Sequence, residues 1–113
     1  IEHQLGAYTD CNHGQGLAVI HPAYYRHILK DAPKNFARFA KEVFDQDTAE
    51  EGLEALTAFI QECGLPVKMG QLQSKVEITP DLLRKVAETC NIIKCNPREL
   101  SREEIHEILC ECL

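Results

Sequence analysis

The chain has 113 residues, the size of a single domain. Its 12 Lys+Arg against 18 Asp+Glu give a formal net charge of -6, which excludes the basic face a nucleic-acid binder needs to neutralise phosphates. Hydrophobic residues at 44% and charged residues at 27% describe a folding chain rather than a disordered one. No run reaches the ~18 apolar residues of a membrane span, so neither nucleic acid nor membrane is an expected partner.

The chain opens on Ile1, and its one methionine is Met69. This start is expected to be a processed end or a cut in something longer, because Ile1 to Tyr8 reads as the last turns of a helix that begins upstream. Thr9-Asp10-Cys11-Asn12 then gives a turn, and His13-Gly14-Gln15-Gly16 opens the next helix. From Gln15 to Asp31, Leu17, Ile20, His21, Tyr24 and Ile28 share one side. Pro22 is expected to kink or restart that helix. After Pro33, which suits a first helical turn, Phe36, Phe39, Ala40, Val43 and Phe44 follow helical spacing and predict a core face.

Thr48-Ala-Glu-Glu51 has the form of a capping box. It predicts a helix with Leu53, Leu56, Ile60 and Cys63 inward, stopped at Gly64-Leu65-Pro66. Met69 to Ile78 is a polar connector without clear period. Thr79-Pro80-Asp81 sets a cap, a first-turn proline and an acid at a helix start, and Leu82, Leu83, Val86, Ala87 and Cys90 form the buried side. A second capping box, Ser101-Arg-Glu-Glu104, opens a helix with Ile105, Ile108, Leu109 and Cys112 inward. The expected architecture is all-α, a bundle of about five helices in one domain over 1–113.

The six cysteines do not form a zinc framework by spacing. Cys90 and Cys95 stand as C-x4-C, and Cys110 and Cys112 as C-x-C, not as the C-x2-C pairs of a structural site. Cys63, Cys90 and Cys112 fall on apolar stripes, where a thiol is a small hydrophobe. Reduced, mostly buried thiols in a cytoplasmic protein are therefore expected.

Of the five histidines, His106 sits among charged residues and is expected to be solvated. His21 and His27, beside Tyr24 and Tyr25, are expected to be partly buried with local hydrogen bonds. His3 and His13 differ in kind, because they flank a tight connection and two imidazoles so placed can face one pocket. Gly14 and Gly16 admit a close backbone or ligand, and a helix start adds free N–H groups. Two histidines by themselves do not complete a catalytic metal site.

Three motifs in order carry a resemblance: Glu2-His3-Gln4-Leu5-Gly6-Ala7, then His13-Gly14, then Leu17-Ala18-Val19-Ile20-His21-Pro22. They resemble the iron-containing alcohol dehydrogenases, with the closest look to the butanol dehydrogenase and aldehyde reductase branch. Asn96-Pro97-Arg98, Leu100-Ser101, Glu103-Glu104-Ile105 and Ile108-Leu109 resemble that family's closing motif, and Gly64-Leu65-Pro66 its G-I-P. The likeness spans the whole chain, although the stretch from Gly70 to Glu77 is more polar than the family's segment and lacks its glycine.

The resemblance implies a dehydroquinate synthase-like helical domain, truncated at its N-terminus and lacking the nucleotide-binding α/β domain that would be its partner. It implies hydride transfer between a small alcohol or aldehyde and NAD(P), with Fe(2+) or Zn(2+) polarising the substrate oxygen. Residue by residue, His13 matches a metal ligand. His3 matches a catalytic histidine near the nicotinamide that joins a proton relay. The family's other three ligands would lie before Ile1, so the site here is incomplete and the isolated chain is expected to be inactive. Nothing in this chain matches a nucleotide-binding residue. An exposed apolar surface, self-association and a homo-oligomer are also expected. The competing readings are a free-standing helical interaction module, in which His3 and His13 are ordinary helix-end residues, and a glycerol-dehydrogenase-like or dehydroquinate-synthase-like parent.

Overall fold

Side-chain caps start most of the helices. The computed structural model describes residues 1–92, 94 and 97–113, and among these it has six α-helices and no strand. They are α1 (Glu2–Thr9), α2 (His13–Ile28), α3 (Pro33–Phe44), α4 (Ala49–Glu62), α5 (Pro80–Thr89) and α6 (Arg102–Glu111). Short 3-10 turns occupy Leu29–Asp31 and Met69–Gln71. Asn12 Oδ1 accepts from the Gln15 N–H at 3.1 Å and Thr79 Oγ1 from the Leu82 N–H at 3.2 Å. Both capping boxes close reciprocally: Thr48 with Glu51 at 3.2 and 3.1 Å, and Ser101 with Glu104 at 3.1 and 2.8 Å. Each satisfies N–H groups that a helix start leaves free.

The helices stop as firmly. Gly64 takes φ 71°, the left-handed conformation expected of it, and Asp10 and Asp45 do the same without glycine at φ 54° and 52°. An Asp side chain tolerates this region better than most. Pro22 neither restarts nor ends α2, which runs unbroken through it. The cost is the hydrogen bond its missing N–H would have donated. The connector from Met69 is held from both ends of the fold. The Met69 N–H donates to the Cys112 carbonyl at 2.8 Å and the Lys75 N–H to the Thr9 carbonyl at 2.9 Å, while Met69 and Leu72 are buried.

The core lies between α1, α2, α5 and α6, with Leu5, Val19, Leu83, Val86, Ile108 and Leu109 nearly or fully buried. Helices α3 and α4 form a hairpin that leans on α2 through α4. Their crossing is set by backbone contact: a Cβ on Gly52 would stand 2.7 Å from the Ala40 Cα and nearer still to its Cβ. That close approach leaves the flanking aromatics outside. The face expected to be core is buried only at Ala40; Phe36, Phe39 and Phe44 are half-buried and Val43 is exposed. Periodicity found the apolar stripe, but a two-helix layer has no third element to cover it. Phe39, Phe44 and Phe59 instead cover one another, with ring centroids 5.6 and 6.3 Å apart.

Two thiols behave as expected and one does not. Cys90 and Cys112 are buried, and burial pushes the Cys112 thiol up to about 11. Cys63 caps the end of α4 and is exposed. No disulfide joins the described cysteines. Cys95 and Asn96, and with them the C-x4-C spacing and the first residue of the closing motif, lie outside the described residues. His106 is not solvated: its side chain is packed near the Pro80 carbonyl and 3.3 Å from Cys110 Sγ.

Glu104 ties the last helix to the rest. Besides closing its capping box, it takes Arg98 at 2.6 Å and His27 of α2 at 3.1 Å, and Arg98 also reaches Asp31 at 3.0 Å. These donors, Arg98 first, hold the Glu104 carboxyl well below the usual carboxylate range. Two consequences can be measured by chemical denaturation. Gly52→Ala should destabilise the fold, because a backbone clash costing about 1–3 kcal/mol outweighs the ~1 kcal/mol gained in helix propensity. For Glu104→Gln, the sign follows from a depressed carboxyl: its stabilisation is full above the ordinary glutamate pKa of ~4.3 and fades as pH falls towards the folded value. The stability gap between the parent chain and this variant should therefore be widest near neutrality and narrow in acid.

Candidate metal centre

The elbow between α1 and α2 gathers the histidines singled out by sequence. His3 sits in the first turn of α1 and His13 is the first residue of α2. The turn joining them is fixed by Asp10, whose N–H reaches the Gly6 carbonyl at 2.8 Å and whose carboxylate pairs with Lys75. Beneath it, the fully buried Thr9 donates its hydroxyl to the Leu5 carbonyl at 2.8 Å and accepts the Cys11 N–H at 3.3 Å. With both ends of the turn held, the first turn of α1 lies beside the first turn of α2. The His3 and His13 rings stack with centroids 5.2 Å apart and planes 26° from parallel.

A third group completes the cluster. The Glu2 side chain is 6% exposed and its carboxylate pairs with His13 Nδ1, while His13 itself is 59% exposed. Glu2, His3 and His13 each offer a ligand atom within 4.8 Å of the others. Space for Glu2 comes from Gly16, since a Cβ there would lie 2.8 Å from its Oε1 and 3.1 Å from its Cγ. Gly16 thus admits a side chain of the chain itself, rather than a ligand or a second backbone. A Cβ on Gly14 would meet Asn12 Oδ1 at 3.4 Å, an ordinary contact, so the helix start at His13 does not depend on close approach there.

The remaining polar groups divide by place. His21 rests on Tyr25, with centroids 5.3 Å apart, and lines a cavity of about 220 Å³ beside Ile1, Glu2, Leu17, Tyr24 and Leu100. His27 belongs to the Glu104 network. Sequence reasoning named both imidazoles but gave Glu2 no role of its own. The signal lay beside His3, yet nothing in a linear spacing of eleven residues says that two side chains meet across an elbow.

The donor set suits a borderline divalent ion: imidazole nitrogens with one carboxylate nearby. With Nδ1 of His13 engaged by Glu2, Nε2 is the nitrogen left to coordinate, and the exposure of the ring lets other ligands approach it.

Helical bundle and site motif point to one class, and the sequence comparison agrees. Residues 1–113 match the family described as "Fe-containing alcohol dehydrogenase family, C-terminal". The chain belongs to that family and constitutes its helical C-terminal domain. It is similar to the probable NADH-dependent butanol dehydrogenase 1 of Bacillus subtilis (strain 168), 34% identical over 77 residues, which cover 61% of this chain and 20% of that protein. It is also similar to the 1,3-propanediol dehydrogenase of Klebsiella pneumoniae, 29% identical over 113 residues, covering 94% of this chain and 29% of that one. Among solved structures it resembles the NADH-dependent butanol dehydrogenase A of Thermotoga maritima, with a TM-score of 0.81 and 27% identity over 98% of this chain and 31% of the other. The chain thus spans less than a third of the length of each of these proteins.

Proposed function

We propose that this chain is the metal-binding helical domain of an NAD(P)-dependent, iron- or zinc-dependent alcohol dehydrogenase that interconverts a small alcohol and its aldehyde. One observation carries the reading. His13, at the start of α2, stacks against His3 and contacts the buried carboxylate of Glu2, and such a group in a family of iron-containing alcohol dehydrogenases is built for an ion and a proton. In this reading the N-terminal nucleotide-binding domain supplies the other metal ligands and the whole nicotinamide site. The protein works in the cytoplasm and as a homo-oligomer.

The residues divide the work by position. His13 would hold the divalent ion through Nε2, since Nδ1 faces Glu2. His3, one ring away, would lie on the side of the nicotinamide and would take the proton that the alcohol loses, handing it to solvent. When bound, the ion supplies Lewis-acid polarisation of the substrate oxygen. Burial of Glu2 under His13 keeps water away from the inner side of the ring. No other residue of this chain is assigned to the ion. A lone imidazole contributes little affinity compared with the three- or four-ligand sets of functional sites, so the domain alone is inactive.

Two measurements test this. Elemental analysis of the purified 113-residue chain should find well under one equivalent of zinc or iron, and stoichiometric tight binding would sink the claim that the site needs another domain. In the protein that joins this chain to its nucleotide-binding domain, His13→Ala should abolish metal loading, whereas His3→Ala should retain metal and lower turnover. Equal metal loss in both variants would overturn the division of roles.

A further inference from the structure

We propose that Glu2 is the positioning residue of His13: its carboxylate accepts the Nδ1 proton, selects that tautomer and leaves Nε2 with the lone pair that binds a divalent cation. This rests on the reading of His13 as a ligand.

A carboxylate that is 6% exposed needs a hydrogen-bond partner, because burying it unpaired is costly. Its partner is the His13 ring. A neutral imidazole carries one N–H, and the bond made by one nitrogen decides which nitrogen is free. A carboxylate on Nδ1 therefore puts the proton there and makes Nε2 the donor to metal. The same pairing turns and anchors the ring, which is otherwise half in solvent, and His3 stacked at 5.2 Å restricts its other face. Carboxylate partners of this kind raise the basicity of a ligating imidazole, and losing one costs about 10–100-fold in metal affinity.

The surrounding residues suit that role. The absence of a Cβ at Gly16 is what lets the Glu2 carboxylate lie under the ring. A glycine four residues into a helix is a poor choice for helix stability, and here it makes room for one side chain. Direct coordination by Glu2 is the competing chemistry, and it conflicts with the same oxygen holding Nδ1.

Four variants separate these possibilities. Nitrogen-15 NMR of the 113-residue chain, recorded in alkaline solution on the neutral ring, should show His13 as the Nδ1–H tautomer. Glu2→Ala should lose that preference, and Glu2→Gln, which keeps an acceptor oxygen, should retain it. In the two-domain protein, zinc competition against a chelator should show about 10–100-fold weaker binding for Glu2→Ala and a change of only a few-fold for Glu2→Gln. Gly16→Ala should weaken zinc like Glu2→Ala, because its Cβ would displace the carboxylate. An unchanged tautomer in Glu2→Ala would overturn the proposal, as would equal zinc loss in Glu2→Gln and Glu2→Ala, which marks a direct ligand. If His13→Ala keeps its zinc while Glu2 still selects the tautomer, the ligand reading falls and the positioning bond stands.

Discussion

A buried carboxylate cannot be left without a donor, and the elbow between α1 and α2 is organised around that demand. Glu2 meets it by reaching across to His13, which obliges the two helix starts to lie side by side. That geometry needs a short turn, so Asp10 accepts a left-handed conformation. It needs an inner surface without a Cβ, so glycine stands at position 16. It also needs the turn to stay put, so Thr9 is fully buried and its carbonyl holds the connector at Lys75. Remove the pairing and each of these residues loses its reason.

The rest of the bundle is arranged to support α2. Helices α1 and α6 pack on it directly, and α5 braces both of them. Glu104 performs two tasks at once, closing the cap of α6 and drawing Arg98 and His27 together. A carboxylate with three donors is far more strongly tied than an exposed ion pair such as Arg38 with Glu42, which adds little. Helix α4 also packs on α2, and α3 packs mainly on α4. Their contact is tight at Ala40 and Gly52, yet Val43 and Phe59 remain at the surface.

Much of the helical order was legible in the sequence. Capping boxes at Thr48 and Ser101, Pro80 behind Thr79, and Gly64 after α4 all form as read, because caps depend on residues within three or four positions of each other. The buried sides of α5 and α6 were likewise readable at Leu83, Val86, Ile108 and Leu109. Cys63 and the α3 stripe went the other way. Period reports which residues share a face, and whether anything covers that face depends on how many layers the fold has. Pro22 belongs with them: a kink or restart was expected there, and α2 runs unbroken through it.

The site divides along the same line. By itself the sequence determined that two histidines flank a short turn, that a helix begins at His13, and that these motifs resemble one enzyme family. The first two are facts of spacing over a dozen residues, and the third is a likeness of motifs along the chain. Only the tertiary structure decided that the rings stack, that Glu2 lies buried beneath one of them, and that Gly16 is there to receive it. The physical reason is that α1 and α2 meet at an angle set by packing against α5 and α6, far along the chain, and no local pattern encodes that angle.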